Sequence, residues 1–113
     1  MTDAFVPHLP DAAVELVARR FRALGEPTRV RLLDALRGGS MTVQELTEAT
    51  GGSQQNTSKH LLLLHGAGFL RREKRGASVV YSISDPVVFE LCDLVCGALR
   101  RQISDLDRAL AQA

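Results

Sequence analysis

Apolar residues in this chain recur at helical spacing in five stretches and alternate with polar ones in one. Asp11 caps a first helix running to about Leu24, with Val14, Val17, Ala18 and Phe21 on its apolar side, and Gly25 ends it. Pro27 suits the first turn of a second helix, Thr28 to Arg37, striped by Val30, Leu33 and Leu36 and stopped by Gly38-Gly39. Thr42 caps a short third helix, with Glu45 at the capping-box position and Leu46 and Ala49 facing inward. Gly51-Gly52 turns the chain into a fourth helix capped by Ser53, in which Thr57, Leu61 and Leu64 form the buried face. Gly66 and Gly68 interrupt the pattern there. Two strands follow, from Phe69-Leu70 through Arg75 and back with Val79, Tyr81 and Ile83 alternating, around a turn at Gly76-Ala77. After Asp85-Pro86, a cap with proline in the first turn, a last helix spans about Val87 to Leu110.

This order predicts a mainly α-helical fold of about five helices with a small β-hairpin wing, that is, a winged helix-turn-helix. Residues 1–10, with two prolines, read as a flexible arm and 11–113 as the domain, comprising the helix-turn-helix at 42–65, the wing at 69–84 and a dimerisation helix at 86–110. On the last helix Val88, Leu91, Cys92, Val95, Leu99, Ile103, Leu106 and Leu110 share one side over more than six turns, too long a stripe for so small a domain to cover. A two-fold homodimer through the terminal helices would bury it.

The polar face of the fourth helix is where chemistry enters. Gln and Asn present a donor and an acceptor together to an adenine edge, and Lys suits guanine or phosphate. Ser53, Gln54, Gln55, Asn56, Thr57, Ser58, Lys59 and His60 are therefore placed near bases or adjacent phosphates, with Arg71, Arg72, Lys74 and Arg75 of the wing on the backbone. Two such helices about one DNA turn (~34 Å) apart would read a pseudo-palindromic double-stranded operator.

Charge distribution supports this placement more than its sum does. The 113 residues carry a net charge of only +1, yet residues 53–84 hold Lys59, Arg71, Arg72, Lys74 and Arg75 against Glu73 alone. That segment is +4 and the remainder −3, so attraction to phosphate is concentrated on the proposed reading elements. Length allows one domain. No apolar run approaches the ~20 residues of a membrane span, and the first residues lack the features of a secretory signal, so cytoplasm is the expected compartment. No glycine-rich phosphate loop or nucleophile-base pair points to catalysis.

The segments LGEPTRVRLLDAL at 24–36, TVQELTEATGGSQQNTSKHLLLLHGAGFLRREKRG at 42–76 and VVYSI at 79–83 resemble the ArsR/SmtB family of winged helix-turn-helix regulators. The resemblance covers about residues 12–105. It implies a homodimeric bacterial transcription factor, usually a repressor released by a metal ion, a metalloid or a thiol-reactive signal, with the recognition helix at Ser53 to Leu64 and the wing at about Arg71 to Tyr81. The family's sensor motifs match less well. Where arsenic and cadmium sensors carry two cysteines on the third helix, this chain has Glu45-Leu46-Thr47-Glu48-Ala49-Thr50. Of the Asp and His set that binds zinc, cobalt or nickel on the last helix, only Asp85 matches.

Cys92 and Cys96, one turn apart on the last helix, remain as sensor candidates. They read as small core residues, as a thiolate pair for a transition metal or thiophilic ion such as nickel, zinc, copper(I), arsenic(III) or mercury(II), or as a redox switch between subunits. His8, His65, Asp85 and Asp93 are weaker candidates, and Glu90 and Asp107 read as a solvated face. His60 reads as a packing or phosphate-contact residue. Two further alternatives stay open: a winged-helix module that docks protein without specific DNA affinity, and a regulator with no metal site.

Overall fold

The computed structural model describes residues 8–112. Most of the arm expected at 1–10 lies outside them. The elements in order are α1 (Asp11–Leu24), α2 (Pro27–Ala35) closed by a 3-10 turn (Leu36–Gly38), β1 (Met41–Thr42), α3 (Val43–Thr50), α4 (Gln54–Gly66), β2 (Leu70–Arg75), β3 (Ser78–Ile83) and α5 (Val87–Ala111). The expected class holds: five helices and a small antiparallel sheet in winged helix-turn-helix order.

Local chemistry explains most boundaries. Thr42 and Glu45 form the reciprocal capping box, Thr42 Oγ1 accepting from the Glu45 N–H at 3.1 Å and Glu45 Oε1 from the Thr42 N–H at 2.8 Å. Ser53 Oγ accepts from the Asn56 N–H at 3.1 Å, which starts α4. Between these helices Gly51 takes φ +78°, the left-handed C-cap that a side chain would resist. The hairpin turns on Gly76 at φ +60° followed by Ala77, without a second positive φ, as a two-residue type II′ loop requires.

Other boundaries are corrected. α1 is capped by Pro10 rather than Asp11, which becomes its first residue. α2 starts at Pro27, one residue early, because the Glu26 carboxylate accepts from the Arg29 N–H at 3.0 Å and supplies the cap. The helix gives way to the 3-10 turn after Ala35 rather than running to Arg37. At the start of α5 Pro86 takes the cap position while Asp85 Oδ1 accepts from the Val87 N–H at 3.0 Å.

The core joins Leu32, Leu33 and Leu36 to Leu46, to Leu61 and Leu64, to Leu70 and Tyr81 of the hairpin, and to Val88 at the start of α5. Leu32 replaces the expected Val30, which is exposed: at about 100° per residue, Leu32, Leu33 and Leu36 share an arc that Val30 misses. On α3 the inward arc holds Leu46 with Val43 partly buried beside it, and Ala49 falls outside it. β3 lies between β1 and β2, with Met41 opposite Tyr81 and Thr42 opposite Val80. This third strand was not expected. Its presence explains why Val80, pointing away from Tyr81, is buried as well: β3 is a central strand.

Among the described residues, two apolar surfaces are left uncovered. On α1, Val14, Leu16, Val17 and Phe21 are exposed, and on α5 Val95, Leu99, Ile103, Leu106 and Leu110 are each more than half exposed while only Val88 is buried. α5, about 37 Å long at 1.5 Å per residue, is held to the domain by its first turns. There Arg37 Nη2 donates to Asp93 Oδ1 at 3.0 Å, and its guanidinium lies 4.6 Å from the centre of the Phe89 ring.

Leu46 is fully buried where α3 meets the core, so Leu46→Ala should lower unfolding free energy by about 2–5 kcal/mol in urea melts. Thr42→Ala, which removes the Thr42 Oγ1 half of the capping box and leaves the Glu45 bond to the residue 42 N–H, should cost about 1 kcal/mol.

Candidate nucleic-acid interface

α4 carries two incompatible surfaces on 13 residues. Thr57, Leu61 and Leu64 are sealed into the core, and Gln54, Gln55, Asn56 and Lys59 are exposed on the outer face, with Ser58 half-buried between them. A correction follows for Thr57: at 1% exposure it is a core residue and is out of reach of a base edge. Ser53 is exposed, but its Oγ is engaged by the Asn56 N–H, so its part is to order the N-terminal turn. The first-turn N–H groups and their dipole end face outward beside Gln54 and Gln55, a favourable setting for a phosphate.

His60 is also placed differently from the exposed polar residues. Its side chain is 15% exposed and turns toward the start of α2, where Nδ1 stands 3.1 Å from Arg29 Nη1 and 3.8 Å from Glu26 Oε2. Arg29 in turn donates from Nε to the Ala23 carbonyl at 2.6 Å and from Nη2 to the Arg22 carbonyl at 3.3 Å, closing the end of α1. One guanidinium therefore ties α1, α2 and α4 together. Sequence reading missed Arg29 because its contact to His60 spans 31 positions and has no local signal.

The wing holds its basic residues on two faces. In the β2–β3 register Leu70 pairs with Ile83 and Arg72 with Tyr81, so Arg72 and Lys74 share the helix-facing side, while Arg71, Glu73 and Arg75 lie on the other. Arg72 Nε donates to the Tyr81 hydroxyl at 3.2 Å, which satisfies that hydroxyl and anchors the side chain. Arg75 pairs with Glu73 at 2.9 Å on the open surface, a link that solvent weakens. All four basic residues are exposed. A narrow polar cleft of about 200 Å³ separates Gln54 and Ser58 from the wing tip at Ala77 and Ser78, so the reading helix and the wing flank one continuous surface.

The sensor candidates are spread out. Cys92 is half-buried and Cys96 exposed, both as free thiols. Burial pushes the Cys92 thiol above its ordinary pKa, with the Arg37 guanidinium pulling the other way. Asp93 bonds to Arg37, which raises the guanidinium pKa further, and the Asp85 carboxylate holds the start of α5. His65 Nδ1 lies 3.0 Å from the Leu70 carbonyl, and His8 is exposed before α1. Among the described residues no three His, Cys, Asp or Glu side chains converge as a metal cluster. Nor is any described helix long and apolar enough to cross a membrane.

A capped recognition helix, the glycine turn behind it and a basic hairpin beside it define a winged helix-turn-helix DNA-binding protein. Comparison with known proteins specifies the class. Residues 24–73 match a family model described as a helix-turn-helix domain. The transcriptional regulator NmtR of Mycobacterium tuberculosis is 36% identical over 85 residues, covering 75% of this chain and 71% of NmtR. The "Probable mercury resistance operon repressor" of Streptomyces lividans is 37% identical over 83 residues, 74% of this chain and 66% of that one, so the chain spans about two thirds of that relative's length. Among solved structures, the homodimeric winged helix-turn-helix DNA-binding domain of Mb0332 from Mycobacterium bovis superposes with a TM-score of 0.74 at 27% identity, covering 87% of this chain and 94% of that one. The chain belongs to the ArsR/SmtB family of winged helix-turn-helix transcriptional regulators, which act by binding DNA and are not enzymes.

Two outcomes follow from this geometry. Asn56→Ala should relax discrimination between operator and random duplex by about 1–3 kcal/mol in fluorescence anisotropy, whereas Arg75→Ala should weaken both duplexes alike and lower the salt slope by about one unit; equal losses for Asn56→Ala would remove it from base reading. With iodoacetamide at pH 8, Cys96 should be modified before Cys92, and the Cys92 rate should keep climbing as pH rises above the ordinary thiol value of about 8.5, since burial favours its protonated form.

Proposed function

We propose that this regulator binds a pseudo-palindromic operator as a homodimer, acts as a repressor, and is controlled through the thiols of α5. The observation that carries the dimer is the apolar surface that α1 and α5 leave uncovered. A second copy laid on it would bury the row from Val95 to Leu110 and set two α4 helices on one side of the assembly, where a two-fold operator would meet both. Gln54, Gln55, Asn56, Ser58 and Lys59 are the proposed base and phosphate contacts, with Arg71, Arg72, Lys74 and Arg75 on the backbone. The homodimeric Mb0332 domain, similar over most of this chain, supports the same assembly.

Cys92 and Cys96 supply two sulfurs one turn apart, which fits a thiophilic ion and falls short of the three or four ligands of a zinc or nickel site within one protomer. These two residues would hold the ion, and what a bound soft ion supplies is a bridge between thiolates. A relative named for mercury resistance points to the same chemistry. The protein's own part is mechanical. Asp93 and Phe89, beside the thiols, grip Arg37 at the end of α2, and α2 packs on both α3 and α4. A shift in how the α5 helices pair therefore reaches the reading heads without any new contact to DNA, provided the effector prefers one arrangement of the dimer.

The test is anisotropy on a duplex from the promoter of its own gene, titrating mercury(II), arsenite and hydrogen peroxide. Wild type should lose affinity by about 5- to 150-fold, the usual range of coupling, and the Cys92→Ser/Cys96→Ser variant should not respond. An equal response of both proteins would make the cysteines core residues, and absence of any specific duplex binding would favour a protein-docking role.

A further inference from the structure

Between α1 and the second half of α4 lies an open cleft of about 370 Å³. Its polar edge is made by Arg19, Arg22 and Arg29, its apolar floor by Ala23, Leu62, Leu63 and Ala67, and no acidic residue lines it among the described residues. Three features separate it from the surfaces already assigned. Leu62 and Leu63 are half exposed, at 52% and 49%, on the side of α4 that faces away from the core positions Leu61 and Leu64, about two turns beyond Gln55 and Asn56. The cleft adjoins Ala23, which α1 turns into the domain, whereas Val14, Val17 and Phe21 occupy the opposite side of that helix. It also lies toward the C-terminal end of α4, away from the turn that carries Gln54, Gln55 and Asn56.

The electrostatics are equally one-sided. Among the described residues neither Arg19 nor Arg22 has a carboxylate partner. Arg29 is half-buried and fixed in place by its bonds to the carbonyls of Ala23 and Arg22 and by its contact with His60. Two exposed guanidinium groups thus stand beside one held in place, at the rim of an apolar trough. Guanidinium groups match carboxylate geometry with paired N–H donors, and the volume falls at the lower end of the range for small-molecule sites, about 300–1,000 Å³.

We propose that this cleft is a ligand site, separate from the thiols, for an anionic amphipath: a small carboxylate with an aliphatic tail, its head on Arg19 and Arg22 and its tail along Leu62 and Leu63. The alternative source of negative charge is a phosphate of the operator backbone, which would need no tail.

Isothermal titration calorimetry with octanoate decides between them. Octanoate should bind the dimer, while acetate, which lacks the tail, and 1-octanol, which lacks the charge, should each bind at least tenfold more weakly. Arg19→Gln/Arg22→Gln and Leu62→Ser/Leu63→Ser should each weaken octanoate by about tenfold or more, as loss of a charged hydrogen-bond partner or of buried apolar area does, with circular dichroism melts confirming that the variants fold. Because Leu62, Leu63, Arg19 and Arg22 lie at the surface of the cleft, Arg22→Lys is a gentler second variant, expected to retain charge and lose part of the affinity. The proposal is overturned if octanoate does not bind, if octanol binds as well as octanoate, if the variants bind as wild type does, or if Arg19→Gln/Arg22→Gln instead lowers the salt slope of operator binding, which would assign the arginines to DNA phosphate.

Discussion

The seam formed by Thr57, Leu61 and Leu64 is the constraint on which the rest of this molecule depends. It is the surface by which α4 is glued to α2, α3 and the hairpin, and it is only one side of a helix whose other side must stay polar and accessible. Burial of a leucine is worth about 1.5–3 kcal/mol against leaving it exposed, so rotating α4 by even a third of a turn would sacrifice several such terms. The orientation of the reading face is therefore set from behind, by the core. The glycine turn at Gly51 and the Ser53 cap then fix the start of the helix, and the Arg29 link holds its middle at His60.

A domain organised around that seam has little left with which to cover a 25-residue final helix. The first turns of α5 complete the core through Val88 and are clamped by Arg37, and beyond them the apolar stripe runs on into solvent. The same is true of α1, whose inward contribution is mainly Ala23. Assembly and reading are thereby divided between different helices of one chain. The clamp at Arg37, reaching from the end of α2 to Asp93 and Phe89, is where the two meet.

Local signals were legible in the residues. Thr42 with Glu45, Ser53 and the glycines at 51 and 76 act within three or four positions, so the helix-turn-helix and the hairpin could be placed from spacing alone. The seam was legible for the same reason. Arc width was less so: Val30 and Leu32 are both apolar, and only the packing of α2 against α3 and α4 selects Leu32. β1 went unseen because two residues carry no period, and their partners Val80 and Tyr81 lie some forty positions away. Thr57 and His60 looked available for DNA because they sit among polar neighbours, yet one is buried and the other is turned toward Arg29 and Glu26. The arginine cleft gave no sign in the sequence, since it arises where three separate helices meet.

In the proposed homodimer one chain is half of the working unit: a second copy covers the stripe on α5 and the face of α1 and supplies the second reading helix. Sedimentation equilibrium on the protein alone, and then on its complex with a duplex from its own promoter, tests this most directly. A homodimer gives twice the chain mass in free solution and two chains per duplex in the complex. A monomer that stays monomeric at micromolar concentration and binds the duplex one to one would contradict it.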